Sequence, residues 1–340
     1  MVKSISSKLY VGVQGVKLIS DYLKKNLSIP AEIDFFQKQD KSFVNFSKKA
    51  DVLVAMSWGK SMWGGTDKII VPETRNLKLL HIPGAGIDGI DFSKLPKECK
   101  VCNVYEHEIT IAEYCVANIL NWQTNMIRIC NNFKKLNWKD SLIFSGLPHS
   151  ELNNKKIGIL GYGRIGKEVA KRLKPFDVEL VGFTRINRKK DRYLNKIYSS
   201  KKLPETVSSF DFLILACPLT SETKNIINNK ILKLMKKESV IINIARGGVV
   251  KEKDIYDSLK SNKIGGAIID TWFNYPKSKK DKDLKPSKYN FHKLSNVIMT
   301  PHISAWSLDM IVRRASIINK NIENLYYKRK LLNQINVKNL

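Results

Sequence analysis

Residues 155–174 read KKIGILGYGRIGKEVAKRLK, and this stretch decides how the second half of the chain folds. Its apolar run at 157–160 has the length of a buried parallel strand. Apolar residues then recur at helical spacing until Pro175 ends the pattern. A strand, a G-x-G-x-x-G turn and a helix in this order predict a dinucleotide-binding unit, although glycine-rich turns also occur as purely structural connections.

The three glycines of this turn have separate expected roles. Gly161 permits the tight turn, Gly163 lets the backbone approach a pyrophosphate, and Gly166 lets the helix pack closely against the strand. The unpaired N–H groups at the start of the helix, together with its positive dipole end, would then face the phosphates of the ligand.

The end of the next predicted strand indicates which dinucleotide is preferred. An acidic residue about 20 positions after the glycines normally binds the ribose 2′-hydroxyl. Here Thr184 and Arg185 follow the strand instead, with Arg188, Lys189 and Lys190 close behind. Because an arginine donates two parallel hydrogen bonds to a phosphate, the sequence favours NADP over NAD. The alternative is an ordinary solvated loop on a basic protein.

Length and composition are those of a globular protein. The chain has 340 residues, enough for two domains of ordinary size, with 43% hydrophobic and 26% charged residues. No apolar run reaches the roughly 18 residues of a membrane span. The N-terminus is basic but has neither the apolar core nor the cleavage site of a signal peptide. We therefore expect a cytoplasmic protein with no membrane partner.

The net charge of +28 raises the question of nucleic-acid binding. The lysines are scattered along the chain, however, and they form neither a basic tail nor an RNA-binding motif interleaved with aromatic residues. Nucleic acid is therefore not the expected partner. A field of this sign would still attract small anionic substrates and cofactors.

The cysteines predict neither a disulfide framework nor a metal site. Their number, five, is odd, and the chain is long enough to fold without cross-links. Cys99 and Cys102 form a lone C-x-x-C with no second pair of ligands, so we expect no structural zinc. Free and mostly buried thiols are the preferred interpretation.

Strand-like and helix-like segments alternate along the whole chain, which indicates parallel α/β sheets. The predicted strands cover 8–13, 32–36, 50–56, 77–81, 100–104, 157–160, 178–183, 210–216, 239–244, 266–270 and 297–300. Helices are predicted at 16–27, 106–135 and 307–327, while 275–293, rich in Pro, Lys and Asp, is expected to be an exposed loop. The long helix would carry the chain from a first domain into a second.

Two tryptophans follow the strand predicted at 50–56. Open α/β sheets bind their ligands beyond the carboxyl ends of the strands, so Trp58 and Trp63 are candidates for lining a substrate pocket. Contacts in a lid or in a dimer explain them equally well, and the sequence leaves both interpretations open.

Arg246 and His302 each lie just past the end of a predicted strand in the half that holds the glycine-rich turn. An arginine in this place can bind a carboxylate and polarise an adjacent carbonyl through charge-assisted hydrogen bonds. A histidine can give or take the one proton that hydride transfer to a ketone requires near neutral pH. Either residue alone would be unremarkable, but together they predict a dehydrogenase site.

Several motifs resemble those of the D-isomer-specific 2-hydroxyacid dehydrogenase family. They are INIARGGVV at 242–250, GAIID at 266–270 and TPHI at 300–303, with GAGIDGID at 84–91 and IAEY at 111–114 earlier in the chain. The resemblance implies two flavodoxin- or Rossmann-like, doubly wound parallel-sheet domains with a cleft between them. Residues 1–105 with 304–340 would bind the substrate and 106–303 the dinucleotide, and the family usually forms dimers through its cofactor domains.

The resemblance also implies individual roles. Arg246 would bind and orient a 2-oxo acid, His302 would be the general acid for its reduction, and the amides of Ala85 and Gly86 would take its carboxylate. Asp270 would hold the nicotinamide carboxamide. The candidate cofactor contacts are Gly161, Gly163, Arg164, Ile165, Gly166, Thr184, Arg185, Cys217, Pro218, Thr223, Ile244, Ala245 and Asp270.

One position departs from the family pattern. The family normally has a glutamate, paired to the histidine, five residues beyond the aspartate that matches Asp270, and this chain has Tyr275 there. A carboxylate partner raises the pKa of a histidine, whereas a tyrosine adds no charge at neutral pH. We therefore expect reduction to fall off at lower pH than in relatives with the glutamate, and we count Tyr275 as a catalytic candidate whose role is open.

Together these features predict an NADP- or NAD-dependent reductase that converts a small 2-oxo acid, of the glyoxylate or hydroxypyruvate type, to a D-2-hydroxy acid. Two alternatives remain at this point. One is hydride abstraction of the formate dehydrogenase type, a branch that also lacks the glutamate but has glutamine in its place. The other is a dinucleotide-sensing protein without catalysis, which the intact Arg246 and His302 disfavour.

Overall fold

The computed structural model describes residues 8–37, 41–58, 74–87, 89–186, 189–276 and 281–336. The chain divides into two compact units, Met1–Glu106 with Trp306–Leu340, and His107–Ala305. These boundaries lie one or two residues from those expected. The roles of the two units, and the cleft expected between them, stay predictions.

Each unit is built on one parallel sheet. The strands are β1 Leu9–Gln14, β2 Ala31–Phe36, β3 Val52–Val54, β4 Leu79–His81, β5 Lys100–Cys102, β6 Lys156–Leu160, β7 Glu179–Thr184, β8 Lys196–Ser199, β9 Phe212–Leu215, β10 Val240–Asn243, β11 Gly266–Ile269 and β12 Val297–Met299. The helices are α1 Lys17–Asn26, α2 Lys41–Ser47, α3 Glu108–Thr124, α4 Met126–Phe133, α5 Arg164–Leu173, α6 Leu203–Thr206, α7 Asn229–Leu234, α8 Glu252–Lys260 and α9 Leu308–Tyr326.

The first unit has the strand order β2-β1-β3-β4-β5, in which every neighbouring pair is parallel. This is the order of flavodoxin-like sheets. Helix α9 returns to this unit, where Met310, Ala315, Ile318 and Ile322 join the apolar cluster beneath β1. The C-terminal segment therefore completes the core of the first unit, as its amphipathic pattern predicts.

The second unit has the order β12-β11-β10-β9-β6-β7-β8, again with parallel pairs only. The direction of winding reverses between β6 and β9. Ligands bind at such switch points, beyond the carboxyl ends of the strands. The expected class, two doubly wound α/β units, is confirmed.

Both faces of the second sheet are buried, which explains the unbroken apolar runs of its central strands. In β9, Phe212 and Ile214 belong to one core cluster, while Leu213 and Leu215 belong to the cluster on the opposite face. Successive side chains of a strand point to opposite faces, so an all-apolar strand requires helices on both sides. The strand ends that carry the site are thereby fixed to a rigid sheet.

Some sequence predictions were wrong in detail. The single helix predicted at 106–135 is two helices, because Asn125 adopts a left-handed conformation with φ 51° between α3 and α4. The segment 275–293 is not simply an exposed loop: Tyr289 stacks on Tyr256, and Phe291 is 1% exposed in the core. Strand β8 and helices α2, α6, α7 and α8 were not predicted individually.

Trp58 belongs to the core of the first unit. Its side chain is 1% exposed, and its indole Nε1 donates a hydrogen bond to the Lys94 carbonyl oxygen over 3.3 Å. The interpretation of Trp58 as a pocket or lid residue is therefore wrong. Trp63 lies outside the described residues.

Candidate active site

The glycine-rich turn connects β6 to α5 at the switch point of the second sheet. Gly161 has φ +100°, and a Cβ on it would lie 2.5 Å from the backbone nitrogen of Cys217, which follows β9. A Cβ on Gly166 would lie 2.6 Å from the Gly161 carbonyl oxygen and 3.0 Å from Ile159 Cγ2. A side chain at either position would push apart the elements that form the turn.

Gly163 is different, because a Cβ there would meet no atom within 4 Å. Internal packing does not require this glycine. It precedes α5, whose first turn has no side-chain cap on its N–H groups, and Arg164 and Ile165 begin the helix. Open space in front of a helix N-terminus is what a pyrophosphate needs, so the residues present fit a dinucleotide.

The loop after β7 is anchored through Asp191. Tyr162, in the glycine-rich turn, donates its hydroxyl to Asp191 Oδ1 over 2.8 Å, and Lys167 lies 3.2 Å from the other carboxylate oxygen. Thr184 and Arg185 follow the strand, and Arg185 forms only a loose, exposed pair with Glu222, at 3.8 Å. The Asp191 carboxylate is therefore engaged in holding the loop. Arg188 lies outside the described residues.

The turn after β9 closes on itself at the next candidate contacts. The Thr223 hydroxyl donates to the Pro218 carbonyl oxygen over 2.6 Å and accepts from the Thr220 amide over 2.7 Å. Burial raises the pKa of the Cys217 thiol to about 11, so this side chain is a neutral thiol near pH 7. These residues shape the turn rather than supply reactive groups.

Arg246 follows β10 and is preceded by the buried Ile244 and Ala245. Its guanidinium Nη1 donates to the Ala245 carbonyl oxygen over 2.8 Å. A Cβ on Gly247 would lie 2.2 Å from the Trp272 carbonyl oxygen, so the arginine loop is in close contact with the loop that follows β11. The glycine after Arg246 is what permits this approach.

Asp270 follows β11 and is fully buried. Its Oδ1 accepts hydrogen bonds from the Thr300 hydroxyl (2.6 Å) and the Ile303 amide (2.8 Å), and its Oδ2 accepts one from the Ser304 amide (3.0 Å). Between these donors, His302 has a left-handed backbone with φ 59°. Since non-glycine residues seldom adopt this conformation, the carboxylate acts as a brace for the histidine loop.

The His302 ring contacts Tyr275. The tyrosine hydroxyl lies 2.8 Å from His302 Nδ1 and accepts a hydrogen bond from the Trp272 amide over 3.0 Å. Burial lowers the pKa of His302, and the positive charge of Arg246 lowers it further, against the opposing effect of Asp270. Burial also raises the pKa of Tyr275, so its hydroxyl is neutral near pH 7.

The structure thus brings Arg246, Asp270, Tyr275 and His302 to neighbouring strand ends of one sheet. Ala85 and Gly86 lie in the first unit, in the loop after β4, where the Asn103 amide group donates to the Ala85 carbonyl oxygen over 3.0 Å. Their place relative to the other four residues stays a prediction. Asp88, in the same motif, lies outside the described residues.

Sequence reasoning missed three residues that support this site. Thr300 donates to Asp270, and it also shares a hydrogen bond of 2.7 Å with the hydroxyl of Tyr114 in α3. Trp272 supplies its backbone amide to Tyr275 and its indole Nε1 to the Thr300 carbonyl oxygen, at 2.8 Å. Thr300 and Tyr114 both lie in motifs quoted above, TPHI and IAEY, so their positions gave a signal that could have been used.

Three further findings concern the described residues as a whole. Within the described ranges, no group of three or more His, Cys, Asp or Glu side chains is arranged to hold a metal ion. Burial raises the pKa of Cys99 to about 11 and that of Cys102 to about 12, so both are neutral thiols near pH 7. No helix among those described has the length and apolarity needed to span a membrane.

The second unit combines a doubly wound sheet, a glycine-rich turn at its switch point, and an arginine and a histidine on neighbouring strand ends. These features together define a nicotinamide dinucleotide-binding domain of the dehydrogenase type. Residues 116–304 match the family model described as D-isomer specific 2-hydroxyacid dehydrogenase, NAD binding domain. The chain therefore belongs to the D-isomer specific 2-hydroxyacid dehydrogenase family.

Similar proteins carry different names within this family. D-3-phosphoglycerate dehydrogenase of Methanocaldococcus jannaschii is 30% identical over 302 residues, which cover 86% of this chain and 53% of that protein. Glyoxylate reductase of Pyrococcus horikoshii is 29% identical over 322 residues, 91% of this chain and 88% of the relative. The chain thus spans about half the length of the first relative and most of the second.

A solved structure shares the fold. It is a D-isomer specific 2-hydroxyacid dehydrogenase family protein from Aeromonas salmonicida subsp. salmonicida, with a TM-score of 0.78 and 19% sequence identity. The match covers 97% of this chain and 99% of the other. At this level of identity the likeness supports the fold and carries no information about the substrate.

Proposed function

We propose that this protein reduces a small 2-oxo acid, of the glyoxylate or hydroxypyruvate type, to a D-2-hydroxy acid with NADPH. The observation that carries the proposal is the contact of 2.8 Å between Tyr275 and His302 beside Arg246, at the carboxyl ends of the dinucleotide-binding sheet. A half-buried, oriented imidazole next to a guanidinium is suited to an anionic carbonyl compound.

Each side chain has one task in this proposal. Arg246 binds the substrate carboxylate and polarises the adjacent carbonyl, while His302 donates the proton that the carbonyl oxygen acquires. A reduced nicotinamide, when bound, supplies the hydride. The amides of Ala85 and Gly86 provide further donors for the carboxylate, and uncharged donors have no charge to desolvate.

Asp270 has a second task in the proposal, since it would accept a hydrogen bond from the nicotinamide carboxamide. Both of its oxygens already bind the loop around His302. A carboxylate has about four acceptor positions, however, and three are used by the hydrogen bonds described above. One acceptor position is therefore left, and because the side chain is fully buried, the loop around His302 would have to shift for the carboxamide to reach it.

The preference for NADPH is supported by the residues after β7. Thr184 and Arg185 occupy the place of the usual ribose-binding acid, and Asp191 is engaged by Tyr162 and Lys167. We expect Arg185→Ala to weaken the apparent affinity for NADPH by about tenfold with little effect on NADH, because an Arg–phosphate contact contributes on the order of 1–3 kcal/mol. Equal effects on both cofactors would contradict the preference.

The test of the function is a substrate panel read by cofactor oxidation at 340 nm. Glyoxylate, hydroxypyruvate and larger 2-oxo acids are compared with NADPH and NADH, and formate is offered with the oxidised cofactors. Turnover of a 2-oxo acid supports the proposal. Turnover of formate alone would favour the hydride-abstraction alternative, and NADPH binding without any turnover would favour a sensor.

We further propose that the protein is a homodimer. The segment 126–147 of the second unit is ordered by hydrogen bonds from Arg128 and Asn132 to Asp140, at 2.9 and 2.8 Å. It nevertheless exposes large apolar side chains, among them Leu136, Leu142, Ile143 and Leu147 at 84%, 92%, 83% and 91%. Apolar surface of this kind marks an interface, and it lies in the domain through which the family usually dimerises.

Light scattering after size-exclusion chromatography tests the oligomeric state. We expect a dimer for the native chain and a monomer when Leu142 and Ile143 are both replaced by aspartate. A native chain that is monomeric at micromolar concentration would refute the proposal. Exchange of the exposed Lys139 for aspartate, in the same segment, is the matched control and should leave the dimer intact.

A further inference from the structure

The hydroxyl of Tyr275 is held between two fixed partners. The backbone amide of Trp272 donates to the phenol oxygen over 3.0 Å, and the same oxygen lies 2.8 Å from His302 Nδ1. The tyrosine ring also packs against the core cluster on one face of the sheet. Its position is therefore set by the loop that carries it and by the sheet beneath.

This arrangement favours one direction for the hydrogen bond to His302. A backbone amide can only donate, so the Trp272 N–H occupies a lone pair of the phenol oxygen. A phenol oxygen delocalises a lone pair into its ring, so it is a good donor and a poor second acceptor. With the Trp272 N–H already bound, we expect the hydroxyl proton to point to Nδ1 of His302 whenever that nitrogen carries a lone pair. A neutral imidazole bonded in this way keeps its own proton on Nε2.

A glutamate at this position would have the opposite effect. A carboxylate only accepts hydrogen bonds, so it would hold a proton on Nδ1 and leave a lone pair on Nε2 of the neutral ring. Replacing the carboxylate by the Tyr275 hydroxyl therefore does more than remove a charge. It reverses which ring nitrogen of His302 carries the proton.

We propose that Tyr275 is a positioning residue that fixes the His302 ring and selects its neutral tautomer, so that Nε2 presents an N–H to the substrate oxygen. The inference rests on the proposed function, in which His302 faces the reacting carbonyl. An oxo oxygen accepts hydrogen bonds and cannot donate them, so the Nε2–H tautomer matches a 2-oxo acid. The other tautomer would direct a lone pair at that oxygen.

Two charged groups face His302 from the neighbouring strand ends, Asp270 after β11 and Arg246 after β10. Burial and Arg246 lower the pKa of His302, while Asp270 raises it, and the net direction is downward. The ring is therefore mostly neutral near pH 7, where its tautomer decides what Nε2 offers. The neutral ring orients the substrate. The protonated ring, populated at lower pH, delivers its Nε2 proton and keeps the other on Nδ1, where the Tyr275 oxygen then accepts it.

Nitrogen-15 NMR of the histidine rings tests the tautomer directly, on the full-length protein at about pH 8, where the ring is neutral. The signals of His302 among the five histidines are assigned by their loss in His302→Gln. We expect a protonated Nε2 and an unprotonated Nδ1 in the native chain, and a mixture of tautomers in Tyr275→Phe. A native ring protonated on Nδ1, or an unchanged ring in Tyr275→Phe, would overturn the proposal.

Binding of oxamate, an unreactive 2-oxo acid analogue, in the presence of NADPH gives a second readout. Tyr275→Phe should weaken oxamate by about tenfold while NADPH binding changes by less than about twofold. Tyr275→Glu should move the pH midpoint of reduction upward, because a carboxylate stabilises imidazolium. If the tyrosine only packed against the core, Tyr275→Phe would leave oxamate binding unchanged.

Tyr256→Phe is the matched control, since it removes a hydroxyl from a partly buried tyrosine that stacks on Tyr289 at 4.9 Å and not on His302. It should leave the tautomer and oxamate binding unchanged. The two proposals can fail separately. If no 2-oxo acid is reduced, the proposed function fails, while the NMR spectrum of the native chain still decides the role of Tyr275.

Discussion

Asp270→Asn tests whether the Asp270 carboxylate holds the loop around His302 in place or is an ordinary buried acid. The amide side chain has almost the same shape, and its remaining oxygen can still accept from Thr300 and Ile303. Its NH₂ group would replace Oδ2 and face the Ser304 amide at 3.0 Å, so that one donor meets another. The substitution therefore removes one hydrogen bond and one negative charge without creating a cavity.

The expected loss in the free energy of unfolding is about 2–4 kcal/mol. A hydrogen bond to a charged group contributes about 1.5–3 kcal/mol, and a buried amide left without an acceptor costs about 1–3 kcal/mol, with partial overlap between the two. Urea unfolding at pH 7 measures this loss. Since Asp270 opposes the lowering of the pKa of His302, its removal should also shift the fall of the reduction rate to still lower pH.

Asp257→Asn is the control, because its pair with Lys253 at 2.6 Å is exposed to solvent and should contribute little to stability. If Asp270→Asn were as stable as the native chain to within about 0.5 kcal/mol, the three hydrogen bonds would not brace the loop. A shift of the pH profile to higher pH would contradict the electrostatic part of the reasoning.

Two further predictions concern other parts of the chain. Gly163→Ala should fold with near-native stability, since its Cβ meets no atom. It should nevertheless bind NADPH about tenfold or more weakly, because the methyl group occupies the space of the pyrophosphate. Fluorescence titration measures the affinity, and an unchanged affinity would contradict the prediction. Burial lowers the pKa of His81 to about 4, so as pH falls below about 6.5 the unfolded chain binds a proton that the folded chain does not. The free energy of unfolding should therefore drop by about 3 kcal/mol between pH 6.5 and 4, as urea unfolding at several pH values would measure; an equal pH dependence in His81→Leu would contradict it.

The parts of the fold that local chemistry determines were predictable from the sequence. Gly161 is required by its left-handed φ of +100° in the turn, and Gly166 by contacts with Gly161 and Ile159 of the same strand–turn–helix unit, so their spacing carries the information. Strands such as β9 are buried on both faces and appear as unbroken apolar runs. Strand β8 was missed because it is a short edge strand that begins with Lys196 and is exposed at both ends, which gives it little apolar pattern.

The support of the candidate site was less predictable, because it depends on contacts between distant segments. Nothing local in the sequence indicates that Asp270 binds the amides of Ile303 and Ser304, some 33 residues away. The bond from the Trp272 amide to Tyr275 involves backbone, which any residue could supply. The resemblance to the family predicted a contact between positions 275 and 302, and the structure adds its distance of 2.8 Å and the Trp272 amide as a second contact of the hydroxyl.

The central claim is that His302 donates the proton when a 2-oxo acid is reduced. The most direct measurement is the initial rate of NADPH oxidation with glyoxylate or hydroxypyruvate, whichever the native chain reduces faster, compared between the native chain and His302→Gln. We predict that the rate falls by about 100-fold or more while NADPH binding is retained. Absence of turnover in the native chain, or a His302→Gln variant that keeps most of the native rate, would contradict the account.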